Sequence, residues 1–101
     1  MQKWVYVLPL LALLSGQHAR AADVDAGKAK AVLCAGCHGP EGKAVAPIFP
    51  HLAGQNEAYL LKQLKAFKAG TRQEPTMVPF LAALTEADLE NLAAYYASLK
   101  Q

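Results

Sequence analysis

Cys34-Ala35-Gly36-Cys37-His38 sets two thiols three positions apart, with an imidazole directly behind the second. On one helical turn, two such sulfurs can each add across one vinyl group of a porphyrin, giving two thioether bonds. The histidine that follows is then held beneath the metal, where a ring nitrogen can bind axially. C-x-x-C-H is the signature of covalent haem attachment. Ala35 and Gly36, both small, let a flat macrocycle lie close to the backbone.

Three other readings of the same residues fit less well. A zinc site could draw on Cys34, Cys37, His38 and His51, but adjacent Cys37 and His38 are awkward ligands for one tetrahedral ion, whose usual sites pair spaced ligands. A thioredoxin-like C-x-x-C calls for a preceding strand and a βαβ setting, and the sequence has no stretch of convincing period-two alternation. A disulfide closing so short a loop would constrain the unfolded chain very little.

An iron with one histidine needs a sixth ligand or keeps an open position, and this separates a carrier from a catalyst. Downstream of the N-terminal segment there is a single methionine, Met77, in Glu74-Pro75-Thr76-Met77-Val78-Pro79-Phe80. It lies 39 residues after His38, far enough to wrap to the opposite face of a porphyrin. The flanking prolines reduce the entropy lost in holding that loop still. A lone methionine often serves as core filler; next to an attached haem, the thioether is the expected ligand. His51 is the other candidate, but it follows His38 by only 13 residues and is expected on the proximal side.

Upstream of the motif, Met1-Gln2-Lys3 carries one charge, an apolar run extends from Trp4 to Leu14, and a polar stretch leads to Ala19-Arg20-Ala21. This is the tripartite pattern of a secretory leader, expected to be cleaved after Ala21, with the periplasm as destination. A retained membrane anchor is the alternative, yet 11 residues fall well short of the ~20 that a spanning helix needs. Residues 22–101 then form one domain. Of the ten Lys and Arg residues, Lys3 and Arg20 belong to the leader, which leaves eight against eight carboxylates. A formal charge of zero gives no basic face for nucleic acid. A domain of 80 residues buries little surface and usually depends on a disulfide, metal or cofactor, and the cysteine motif is the one place to attach such a group.

The helical pattern is coarse but consistent. A first helix is expected from an N-cap at Asp25 to the cysteine motif, with Ala29, Val32 and Leu33 as its apolar positions. A second covers Asn56 to Ala69, with Leu60, Leu61, Leu64 and Phe67 on one face and Gly70 as the stop. A third opens on the capping box Thr85-Glu86-Ala87-Asp88 and buries Leu89, Leu92, Ala93, Tyr96 and Leu99. The long connections, 38–55 and 71–84, hold most of the Pro and Gly and would have to wrap a ligand.

The ordered set of Gly27-Lys28-Ala29-Lys30, Cys34 to Gly39, Ala46 to Gln55, Tyr59 to Leu64, Gly70-Thr71-Arg72, Met77 and Leu84 to Leu99 resembles the class I cytochromes c. The similarity is greatest to one haem domain of the periplasmic dihaem cytochromes. The resemblance implies an all-α fold of three main helices and long loops around one haem c, carried on Cys34 and Cys37, with His38 and Met77 as axial ligands. It implies that the Pro50 carbonyl accepts from the His38 ring, that Gly27 lets Tyr95 pack closely where first and last helices cross, and that Arg72 pairs with a haem propionate. The activity implied is electron transfer between redox partner proteins rather than catalysis. The resemblance to the dihaem pattern stops after one unit, which implies either a single-haem relative or two copies that associate as a homodimer. An enzyme or sensor with an open sixth site stays as the alternative.

Overall fold

The computed structural model describes residues 3, 4 and 21–101; the expected leader therefore lies outside the described residues apart from Lys3, Trp4 and Ala21. Five helical segments follow one another and no strand occurs among the described residues: α1, Val24–Ala31; α2, Ala35–His38; α3, Glu57–Ala69; α4, Val78–Leu81; and α5, Glu86–Ser98. The three longer ones are the expected main helices. The two short ones are single turns that carry the cysteine motif and follow Met77.

Local capping chemistry explains the best-defined ends. The Asn56 side chain accepts from the Tyr59 N–H and starts α3, and Gly70 closes it in the left-handed conformation. At α5 the capping box is complete, with Thr85 Oγ1 accepting from the Asp88 N–H and Asp88 accepting from the Thr85 N–H. The hydrogen bond from the Thr85 backbone, followed in weight by burial acting the other way, keeps the Asp88 carboxyl below its ordinary pKa.

At α1 the structure corrects the expectation. Asp23, not Asp25, is the N-cap: its backbone is extended and its side chain accepts from the Ala26 N–H, while Asp25 sits in the first turn. Asp23 is fixed there because its own N–H donates to Asn91 Oδ1 at 2.8 Å, a contact across the fold. The buried face also differs. Gly27 and Ala31 point inward, whereas Val32 and Leu33 are 74% and 51% exposed. The reason is the closeness of the crossing between α1 and α5. A Cβ on Gly27 would lie 2.0 Å from the Asn91 carbonyl oxygen and 2.9 Å from Tyr95 Cβ, so only a small-residue face can enter. The larger Val32 and Leu33 fall on the turn that leads out of α1 into the motif.

The core lies between α1, α3 and α5 and takes Leu60 and Phe67 from α3, Leu89, Leu92, Ala93, Tyr95 and Tyr96 from α5, and Leu81 and Leu84 from the segment that joins them. Leu61, Leu64 and Leu99 pack at its edge, in line with the helical spacing. Two ties hold the loops to this frame. The Gly54 N–H donates to the Tyr96 carbonyl at 2.9 Å, and the Lys68 ammonium donates to the Leu84 carbonyl.

Candidate functional site

The cysteine motif is built on a reversal of the chain. Cys34 is the N-cap of α2 and His38 its last residue, and the His38 N–H donates to the Cys34 carbonyl at 3.0 Å. Gly39 then adopts φ +83°, and a Cβ there would come within 1.8 Å of the Lys43 carbonyl oxygen. Only glycine satisfies both conditions. The turn sends residues 40–53 back along the motif, where the Val45 N–H donates to the Cys37 carbonyl at 3.1 Å and the Gly42 carbonyl accepts from both Leu52 and Ala53.

That return brings Pro50 to His38. The Pro50 carbonyl oxygen lies 2.9 Å from His38 Nδ1. A carbonyl can only accept, so Nδ1 carries the proton and Nε2 is left with its lone pair. His38 is 7% exposed, the one buried polar or charged residue among the described residues. Metal-ligating histidines are commonly held in this way, with the ring N–H donated to a backbone carbonyl so that the other nitrogen is free to bind.

Cys34 and Cys37 are both partly buried, and no disulfide joins them. Burial pushes the Cys34 thiol above its ordinary pKa, with Tyr96 acting in the opposite sense. Gly36 is exposed, and no protein atom lies within 4 Å of where its Cβ would sit. Met77 is half-buried and packs against the same core cluster as Cys34. Its loop is pinned by hydrogen bonds from the Met77 N–H to the Glu74 carbonyl, 3.0 Å, and from the Phe80 N–H to the Met77 carbonyl, 3.1 Å. The donor set is thus two alkylatable thiols, one imidazole with a free Nε2 and one thioether. That chemistry fits a covalently attached haem.

Arg72 and His51 both have partners within the chain. The Arg72 guanidinium lies 4.4 Å over the Phe67 ring and donates to Gln63 Oε1 at 2.7 Å. His51 is exposed and its Nδ1 accepts from the Ala44 N–H at 2.8 Å. Among the described residues no three His, Cys, Asp or Glu side chains come together as a metal cluster, so the zinc reading has no structural counterpart. Helical spacing marks Tyr96 only as core; its hydroxyl is buried without a hydrogen bond of normal geometry, and Cys34 acts on it. The only signal for it in the sequence is that a tyrosine, with its polar tip, occupies a core position.

Comparison with known proteins gives the same direction. The family model "Cytochrome c" matches residues 24–100. The chain is 46% identical over 100 residues to cytochrome c4 of Pseudomonas aeruginosa, covering 99% of this chain and 50% of that protein. It is 40% identical over 81 residues to cytochrome c-554(548) of Halomonas halodenitrificans, covering 77% of this chain and 98% of that one. Among solved structures, reduced recombinant cytochrome c4 from Pseudomonas stutzeri superposes with a TM-score of 0.76 at 45% identity, over 79% of this chain and 47% of that chain. The chain therefore spans about half the length of the cytochrome c4 relatives it matches.

Proposed function

The chain belongs to the cytochrome c family and has its class I fold with covalently bound haem c, and from that premise we propose that it is an exported, periplasmic carrier of single electrons with His38 and Met77 as axial ligands. When bound, the haem supplies reversible one-electron chemistry between ferric and ferrous iron. Cys34 and Cys37 hold it through two thioethers, which retain the cofactor although so short a chain cannot enclose it fully. His38 would supply Nε2 to the iron, and the Pro50 carbonyl, bonded to Nδ1, would keep that ring from turning.

The observation that supports this reading most is the Nδ1 to Pro50 bond at 2.9 Å, which orients a buried imidazole with no other evident use. Met77 completes the pair. A soft, neutral thioether and an apolar surround favour the reduced state and raise the potential. With both positions filled by protein in either oxidation state, electron transfer needs little bond rearrangement. Arg72 donates to Gln63 and lies over Phe67; its pairing with a haem propionate is proposed from the family resemblance alone. Export follows from the leader pattern in residues 1–21; among the described residues no helix is long and apolar enough to cross a membrane. The partners are redox proteins, and pairing of two copies belongs to the same proposal.

An absorption spectrum of the purified protein, oxidised and reduced, with and without carbon monoxide, tests the reading. A six-coordinate low-spin spectrum indifferent to carbon monoxide is expected. Ready binding of carbon monoxide at neutral pH would overturn the Met77 assignment and favour a sensor or enzyme with an open site.

A further inference from the structure

On α5, Tyr96 is 4% exposed, and its buried hydroxyl oxygen makes no hydrogen bond of normal geometry. Buried hydroxyls are almost always paired, because an unpaired one has given up water without replacement. The adjacent Tyr95, with ring centroids 5.1 Å apart, directs its own hydroxyl to the Pro40 carbonyl at 3.4 Å. Tyr96 instead belongs to the cluster against which the Cys34 side chain packs, with Cys34 the neighbour that acts on its hydroxyl. Burial pushes the Tyr96 phenol above its ordinary pKa, so it keeps its proton.

The chemistry at the sulfur decides which way a bond between the two can run. A free thiol at Cys34 could donate S–H to the phenol oxygen. Thioether formation removes that hydrogen and leaves only weak acceptor lone pairs on sulfur. From then on Tyr96 is the donor of the pair.

We propose that the Tyr96 hydroxyl donates a hydrogen bond to the Cys34 thioether sulfur, making Tyr96 a positioning residue for the haem and one that raises its reduction potential. The inference rests on attachment through Cys34, as proposed above. A donor at that sulfur draws electron density from the porphyrin edge and favours the ferrous state, since hydrogen bonding around the cofactor is one of the protein's means of setting its potential. The same bond satisfies a hydroxyl that otherwise has no partner and fixes the rotation of the Cys34 side chain.

The test uses the haem-loaded protein and its Tyr96→Phe variant, which keeps the ring and its packing. The variant should have a lower midpoint potential in a spectroelectrochemical titration. The wild-type minus variant ultraviolet resonance Raman spectrum should show the tyrosine doublet of a donating phenol. Tyr95→Phe, which loses only the bond to Pro40, should leave the potential where it was. An unchanged potential in Tyr96→Phe, or a doublet typical of a phenol that does not donate, overturns the inference. The pyridine haemochrome spectrum of the unmodified protein counts saturated vinyl groups and so checks attachment independently. Two saturated groups with an unmoved Tyr96→Phe potential defeat the role of Tyr96 alone, whereas a remaining free vinyl group defeats the attachment on which it rests.

Discussion

Replacing Gly27 by Ala would put a methyl group where the α1–α5 crossing has no room for one. Its Cβ would lie 2.0 Å from the Asn91 carbonyl oxygen, 2.6 Å from the Asn91 carbonyl carbon and 2.9 Å from Tyr95 Cβ. Ordinary contact begins near 3.4 Å, so the two helices must separate by an ångström or more at this point. The obstructing atoms are backbone and a Cβ, and no flexible side-chain end is available to swing aside. Overpacking of this kind costs about 3 kcal/mol, the upper part of its usual range. Against it stands the better helix propensity of Ala, worth about 1 kcal/mol. The net expectation is about 2 kcal/mol of destabilisation, or a fall in Tm of roughly 8–16 °C for a domain of this size. Thermal unfolding of the ferric protein followed by circular dichroism measures it. Separation of the helices would also strain the bond from the Asp23 N–H to Asn91 that holds the α1 N-cap in place, so added loss of helix signal at low temperature is consistent with the same cause. A Tm equal to or above that of the parent would refute the close-crossing argument, because it would mean that the gain in propensity had gone unopposed.

Three further outcomes follow from the site. Met77→Ala should abolish the weak long-wavelength sulfur-to-iron band, open the iron to carbon monoxide and lower the potential; Met77→His should restore six-coordination yet keep the potential low, and a band that survives in Met77→Ala would rule out this sulfur. Intact mass should correspond to residues 22–101 plus one haem, and replacing both Cys34 and Cys37 by Ala should leave haem that acid-acetone extracts; haem retained through that extraction would contradict thioether attachment. Reduction by the natural partner should vary only mildly with ionic strength, because the formal charge of residues 22–101 is zero and offers little long-range steering. Two members of the lysine run on α3 are already engaged, Lys65 with Glu86 at 2.7 Å and Lys68 with the Leu84 carbonyl; a steep fall in rate between low and physiological salt would show that the run acts as a docking patch all the same.

What the amino-acid sequence determined by itself is whatever depends on groups a few residues apart. The caps at Asn56 and Thr85 and the stop at Gly70 bound α3 and α5 because each is a hydrogen bond or a backbone preference within one helical turn. The spacing of Cys34, Cys37 and His38 is likewise a local pattern, legible because two thioethers and one imidazole need that order along the chain. The tertiary structure decided what depends on distant partners. Asp25 reads as the N-cap of α1 from the sequence, whereas Asp23 takes that place because Asn91, 68 residues away, accepts its N–H. Val32 and Leu33 looked like the core face of α1, and their hydrophobicity was no guide, because the approach of α5 admits only Gly27 and Ala31. Tyr96 read as core by spacing, and only the packing of α5 on α1 and α3 brought it into one cluster with Cys34. Local signals act within a turn and are written in the adjacent residues, whereas a helix face or a buried hydroxyl acquires its meaning from the surface brought against it, and that surface exists only once the chain has closed on itself.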